Sequence, residues 1–382
     1  MASNTGDGIR LAALPLLASQ LTTSPVLVSA VTAAQFLPWV SFAPLGGALV
    51  DRHDRRRMIL VTQAGRAAVM LVLAWVVASD LVEVWHLCVV AFLITAGEIL
   101  VDPSIVALVP TLVDDDQLDR ANGRIASVEV VTNDFVGGPA GATAFGFAPW
   151  LPFLLDGVSY LGSLVPFRRL PNDPVARTPS PQLTLRSDAG EGIRFLGHHP
   201  VLGPVTAATA VYYLGAATGM SLLVLLVDRA GGSAWSFGVV LACGAVGAFI
   251  GTLLGECTVR RWGTRTTLVT SLVWEGVALA AMALSTSVAA LAVIWFLAGL
   301  PAGVRIPVAR SLQQRLTPNR LLGRVNVSAR MLTRGIIVAG ALASGTLATF
   351  IGLRNTFLVG GAFQILSAVL MRRALRVPAR TD

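Results

Sequence analysis

The chain has 382 residues, 54% of them hydrophobic and only 13% charged, with a formal net charge of +8. A soluble chain of this size would carry about a quarter charged residues, and no soluble domain fits between the apolar stretches that recur from end to end. The 29 lysine-plus-arginine positions are all arginine; the lack of lysine excludes a Walker A loop and a lysine Schiff base, and with them ATP-driven transport by this chain alone.

A bilayer core takes roughly 20 residues of helix to cross. Breaks in hydropathy predict twelve spans, near 5–20, 25–50, 58–78, 82–111, 119–146, 149–168, 199–227, 234–257, 265–284, 287–315, 322–349 and 354–372. The expected fold is therefore an all-α polytopic membrane protein. Residues 1–168 and 199–382 are read as six-helix halves, and the polar segment 169–198 as the linker between them.

Span 1 carries Asp7, and span 2 carries Phe36 and Trp39 before running into "PLGGALVDRHDRRR" (44–57). Charge alone makes that stretch a basic loop, but Gly46 and Gly47 allow close helix approach, and Asp51 and Asp54 exceed what a lipid-facing basic loop needs. In span 4, Glu98 and Asp102 lie four apart on one face. Two such carboxyl groups raise each other's proton affinity, which suits proton coupling or a cation. Span 5 adds Glu129 and Asp134, then "NDFVGGPAGA" (133–142), where Gly138, Pro139 and Gly141 favour a bend and close helix contact. Span 6 holds Asp156. An ionisable group at a helix centre costs about 2.5–3.5 kcal/mol on insertion scales, so each acid is a functional suspect; the plain alternative is a structural partner for an arginine or a helix end.

In the second half, Tyr212 and Tyr213 in span 7 and Trp295 in span 10 join Phe36 and Trp39 as residues that could line an apolar cavity, although packing or lipid contact accounts for them equally well. A glycine stripe in span 8 (Gly244, Gly247, Gly251, Gly255) is expected to pack against span 5. Span 9 holds Glu275, span 10 Arg305 and span 11 the pair Arg330 and Arg334. The segments 101–122 and 305–326 share Pro103/Pro307, Leu112/Leu316, Leu118/Leu322, Arg120/Arg324 and Asn122/Asn326 at a constant offset of 204. That repeat sets Arg305 nearly opposite Asp102, as an inner-gate charge pair. Three scattered cysteines and four loop or span-end histidines form no disulfide framework, metal site or catalytic set. No cofactor and no metal are expected.

Arginine placement sets the orientation. The loops near 21–24, 79–85, 146–150, 228–234, 284–288 and 350–354 hold only Arg229 and Arg354. The opposite loops, the linker and the C-terminal tail hold most of the rest, which puts both termini in the cytoplasm. The basic side then faces anionic lipid rather than nucleic acid. Trp85, Trp150 and Trp235 fall at the predicted outer ends of spans, where indoles favour the interface.

These residues together resemble the major facilitator superfamily, in its exporter branch related to macrolide and enterobactin efflux proteins. Gly47, Asp51, Arg52, Asp54, Arg55 and Arg56 resemble the loop 2–3 signature, with Asp54 where many members have glycine. "GDGI" (6–9), "GEILVDPS" (97–104), "LDGVSYL" (155–161) and "EGIRFLGHHP" (191–200) match the exporter branch at corresponding places. The resemblance implies an inner-gate latch, with Asp51 at the N-terminal end of span 11 and Arg55 paired with one of Asp114, Asp115 or Asp116. "GGPAGA" resembles a shortened form of the glycine–proline motif of antiporters. Family members have about ten residues before "GDG" and this chain has five, so the first helix is expected to be short.

The function expected is secondary active export of a small organic, amphipathic solute by proton antiport with alternating access, by a monomer in the bilayer. Asp7, Glu98, Asp102, Glu129 and Asp134 are its proton-coupling candidates. Uptake or facilitated diffusion of a metabolite, or a non-transporting sensor or scaffold, is the alternative. An enzyme would need a nucleophile with its base, or a metal cluster, at membrane depth, and the spans offer neither.

Overall fold

In a computed structural model the described residues are 2–42, 54–112, 131–169, 193–318 and 321–376, with 117, 118, 120, 124, 125 and 128. They are helical, with no strand among them. The helices are α1 (Ala2–Leu21), α2 (Pro25–Ser41), α3 (Arg55–Ala78), α4 (Val84–Leu112), a π-helical segment (Val131–Gly137) continuing into α5 (Gly138–Phe147), and α6 (Leu151–Arg169). After the linker come α7 (Leu202–Arg229), α8 (Ala234–Met282), α9 (Val288–Leu316), α10 (Leu322–Ile351) and α11 (Leu353–Ala374).

Twelve spans follow from these because α8 holds two. Its 49 residues would reach about 74 Å as one straight helix, at about 1.5 Å per residue, against a hydrocarbon core of roughly 30 Å. The break falls at Gly263, whose φ of 74° and ψ of 159° leave the helical region; glycine enters it without the steric cost a side chain would add. Arg260, Arg261 and Arg265 cluster at this turn. Seven of the helices are long and apolar enough to cross a membrane by length and composition. Large apolar side chains such as Trp75, Phe147, Leu253 and Phe350 are exposed, as lipid-facing positions are. The first helix is not short: α1 runs for 20 residues from Ala2, because the polar residues before "GDG" continue the helix.

The chain divides into two compact units, Met1–Thr22 with Ala34–Leu185, and Thr23–Ala33 with Arg186–Asp382. In the first, α1 packs on the π segment, α5 and α6, and α3 packs on α4 and α6. In the second, α7 packs on α10 and α11, and α8 on α9 and α11. The glycine stripe of α8 meets α9, not span 5: a Cβ on Gly247 would fall 2.2 Å from the Phe296 carbonyl oxygen, and one on Gly251 2.0 Å from that of Leu300. Gly299 and Gly303 of α9 approach the α8 backbone just as closely, so small residues on both helices produce the contact.

The offset of 204 also relates α6 to α11, through Phe153/Phe357, Leu154/Leu358, Gly157/Gly361 and Ser163/Ser367. The matched glycines do matched work. Gly157 leaves room for Leu71 of α3, and Gly361 for the Gly276 carbonyl in the second segment of α8.

Candidate functional site

Charged side chains gather in the interior of the first unit. Arg10 of α1 and Arg66, halfway along α3, are buried, with side chains 2% and 4% exposed. Their guanidiniums share two carboxylates. Arg10 Nη2 donates to Glu98 Oε1 at 2.7 Å and to Asp7 Oδ1 at 3.3 Å. Arg66 Nη2 donates to Asp7 Oδ1 at 2.7 Å and to Glu98 Oε1 at 3.2 Å. The Tyr160 hydroxyl of α6 also donates to Asp7 Oδ1, and the Arg66 guanidinium lies over the Tyr160 ring, 4.2 Å from its centroid. Arg66 Nη1 donates to Gln63 Oε1 at 3.0 Å, and Gln63 Nε2 donates to Ser163 Oγ at 3.2 Å.

Asp156, one turn from Tyr160, completes the group. It is fully buried, and its Oδ2 lies 3.7 Å from Arg10 Nε without a hydrogen bond. Among the described residues, three carboxyl groups thus face two guanidiniums. If all were ionised the cluster would carry one negative charge in excess, which is costly in a low-dielectric interior.

Glycines let this cluster form. In "GDG", a Cβ on Gly6 would strike Asp156 Oδ1 and Ser159 Oγ, each at 2.2 Å, and one on Gly8 would fall 2.5 Å from the Asn133 carbonyl oxygen. Gly97 makes room for the stem of Arg66. The glycine–proline motif serves the same turn of α1: a Cβ on Gly137 would lie 2.5 Å from Gly8 Cα, and one on Gly141 2.3 Å from the Ile9 carbonyl oxygen. Gly138 has open space beside it, and Pro139 sits in the first turn of α5. The residues just before the motif form a π-helical segment, a feature frequent at functional sites, pressed against the residues between Asp7 and Arg10.

The second unit has a smaller, charge-balanced cluster. Arg305 of α9 donates from Nε to Glu275 Oε1 at 2.7 Å and from Nη2 to Oε2 at 3.2 Å. The Tyr212 hydroxyl donates to Glu275 Oε2 at 2.6 Å, and the Arg305 guanidinium lies 4.0 Å from the Tyr212 ring centroid. Arg305, expected opposite Asp102, is thus a partner of Glu275. Tyr213 stands edge-on to Tyr212. The Trp295 ring packs where Gly219 and Gly244 lack side chains, so it fills a helix contact. Phe36 is buried and Trp39 half-buried in α2.

Of the coupling candidates, Asp7 and Glu98 meet in the cluster, and Asp102 is exposed a turn beyond Glu98 on α4. Glu129 lies outside the described residues, as does the side chain of Asp134, whose backbone belongs to the π segment. Gly47, Asp51, Arg52 and the carboxylates Asp114, Asp115 and Asp116 also lie outside them. The described end of the loop motif has structural work: Asp54 Oδ1 accepts the Arg57 backbone N–H at 2.8 Å and caps α3. Arg56 donates to the Arg168 carbonyl at the end of α6, and Arg55 is half-buried.

Sequence reasoning missed Arg10, Arg66 and Tyr160, and gave Glu275 little weight. One local signal was available. Asp7, Glu98, Asp156 and Glu275 each adjoin a glycine that admits a neighbouring helix or side chain, whereas Asp102, Glu129 and Asp134 adjoin none. The signal is not exclusive, since Glu256 follows Gly255 and is exposed.

Comparison with known proteins agrees with this architecture. The chain is 26% identical over 380 residues to the multidrug efflux pump Tap of Mycolicibacterium fortuitum, covering 94% of this chain and 89% of that one. It is 28% identical to macrolide efflux protein A of Streptococcus pyogenes over 147 residues, a match that spans 38% of this chain and 36% of that relative. Among solved structures, the nucleoside transporter NupG superposes with a TM-score of 0.79 at 12% identity, covering 98% of both chains. A bacterial homologue of the iron transporter ferroportin, in its inward-facing state, superposes with a TM-score of 0.76 at 19% identity, covering 98% of this chain and 96% of that one. These proteins are transporters, not enzymes. The model of the family described as transmembrane secretion effector matches residues 1–382, and the chain belongs to that family of major facilitator membrane transporters.

Proposed function

We propose that the chain is a secondary active exporter, moving a small organic, amphipathic solute out of a bacterial cell in exchange for protons by alternating access. The observation that carries this reading is the excess carboxyl group in the buried cluster of Asp7, Glu98, Asp156, Arg10 and Arg66. A cluster short of one positive charge at membrane depth is neutral when it holds a proton and strained when it does not. Its occupancy can therefore bias which conformation the protein adopts. Outward direction is supported by relatives named for macrolide and multidrug efflux and by the likeness of the "GGPAGA" stretch to the antiporter motif.

In this reading the halves 1–168 and 199–382 move about the cytoplasmic linker 169–198, and both termini are cytoplasmic. Asp51, Arg52, Asp54, Arg55 and Arg56 beside Gly47 latch the inner face shut while the cavity opens outward, and release in each cycle. The test is purified protein in proteoliposomes, with ethidium or erythromycin as probe and an imposed pH gradient. Accumulation of probe against its gradient, abolished by a protonophore, is expected. Probe movement that only equilibrates, whatever the pH gradient, would leave facilitated diffusion in its place.

A further inference from the structure

Three acids share the cluster, and their surroundings differ. Asp7 Oδ1 accepts from Arg10, Arg66 and Tyr160, and Glu98 Oε1 accepts from both arginines. Charge-assisted hydrogen bonds of this kind satisfy the acceptor oxygens of a buried carboxylate. Among the described residues Asp156 has no such support: its Oδ2 is buried with no hydrogen-bond partner, and its Oδ1 is reached only by Ser159 Oγ at 3.5 Å. Among the described residues, the groups facing it are Asp7 and Arg10 from α1, Arg66 from α3 and Glu98 from α4, and Tyr160 stands beside it on α6; the side chain of Asp134, in the π segment, lies outside them. A buried carboxylate without donors costs several kcal/mol, and a neutral carboxyl much less. Access differs too. Asp7 and Glu98 are 16% and 24% exposed, while Asp156 is 0% exposed.

We propose that Asp156 is the carboxyl that takes up and releases the coupled proton, and that this conformation holds the proton occluded; the assignment rests on the proton-antiport reading above. An O–H bond forms on the Asp156 carboxylate with a proton from water on one side of the membrane. Arg10 then keeps only Asp7 and Glu98 as counter-charges. In the alternate conformation that O–H bond breaks, the proton passes to water on the other side, and Arg10 Nε, 3.7 Å away, regains the carboxylate. Arg10 is a positioning residue that reports the charge of Asp156 to the two acids it shares with Arg66.

The test is infrared difference spectroscopy of lipid-reconstituted protein titrated from mildly acidic to alkaline pH, with isotope-labelled aspartate. Wild type is expected to give a carbonyl band of a buried protonated carboxyl that shifts with the label and titrates. Asp156→Asn should lose it. Asp156→Glu should keep a titrating band that no longer shifts with labelled aspartate, and this variant decides the matter if the asparagine variant fails to fold. In proteoliposomes, Asp156→Asn should lose ethidium accumulation driven by a pH gradient and keep ethidium exchange. A labelled aspartate band that persists in Asp156→Asn, or its absence from wild type that transports, overturns the assignment. A wild type that shows the band but drives neither ethidium nor erythromycin upholds Asp156 as the proton site and overturns the export reading instead.

Discussion

Arg66 lies in the middle of a membrane helix with 4% of its side chain exposed, a place an arginine occupies only against fixed counter-charges. Removing one partner of a buried ion pair costs about 3–5 kcal/mol, because the group left behind remains buried. Arg66→Met, which leaves Asp7, Glu98 and Asp156 facing Arg10 alone, should lower the thermal unfolding temperature in detergent sharply and abolish gradient-driven transport. The cluster of the second unit should behave otherwise. Arg305→Met alone strands Glu275, but the triple variant Arg305→Met, Glu275→Leu, Tyr212→Phe removes every polar member together. Apolar replacement of a whole buried pair is often neutral or stabilising, so the triple variant should unfold at or above the wild-type temperature. An unfolding temperature as low as that of Arg305→Met alone would mean the pair is required for the fold. The acids of both clusters were legible as expensive residues in apolar spans. Their partners were not, because an arginine in a span can also reach the interface along its long stem, and only tertiary packing decides between the two.

Among the elements, the contact of α1 with the π segment and α5 positions the site, and its glycines are unequal. Gly141→Ala places a Cβ 2.3 Å from the Ile9 carbonyl oxygen, so the helices must separate beside Asp7 and Arg10; a lower unfolding temperature and loss of transport are expected. Gly138→Ala meets nothing within 4 Å and should stabilise the helix by about 0.5–1 kcal/mol with transport intact. At the start of the second half, His199 precedes α7 and caps it, its Nδ1 accepting from the backbone N–H of Val201 and Leu202 at 3.2 and 3.0 Å. Its ring lies 5.4 Å, centroid to centroid, from that of Phe195, which packs on the buried residues Leu196, Leu202, Leu321 and Val325. Partial burial lowers its pKa from the ordinary imidazole value, favouring the neutral ring that can accept. As pH falls through about 6.5 the unfolded histidine takes a proton and the folded one does not. The stability from this cap is therefore complete above that pH and lost as pH falls through the lowered folded value. In His199→Asn the side-chain amide oxygen can cap without titrating, so the unfolding temperature of that variant should depend less on acid pH. The helices themselves were legible from hydropathy, and the close-packing stripes from small residues. Which helix each stripe meets was not: the α8 stripe carries no information that its partner is α9, since any helix presenting small residues fits it.

For the whole molecule, the repeat and the orientation rest on different physics and are tested apart. The offset of 204 read from residues 101–122 reappears in α6 and α11 as matched glycines with matched contacts. That part of the architecture was legible because close helix contact admits so few residue types. The charge clusters diverged between the halves, and no pattern of spacing foretold it. Orientation follows from charge alone. Trp85, Trp150 and Trp235 each stand exposed at or just before a helix start, near loops that hold almost no arginine. Arg260, Arg261 and Arg265 gather at the Gly263 turn between the two spans of α8. The positive-inside bias then predicts that the Gly263 turn and the C-terminus are cytoplasmic and the turn at Gly231 is outside. A fluorescent protein fused after Asp382 should fluoresce, alkaline phosphatase inserted at Gly231 should be active, and the same insertion at Gly263 should be inactive. Active phosphatase at Gly263 with an inactive insertion at Gly231 would invert the molecule. The arginines would then face the outer surface, while the proton gradient of the cell, which sets the direction of an antiport whichever way the protein lies, would still drive the solute out.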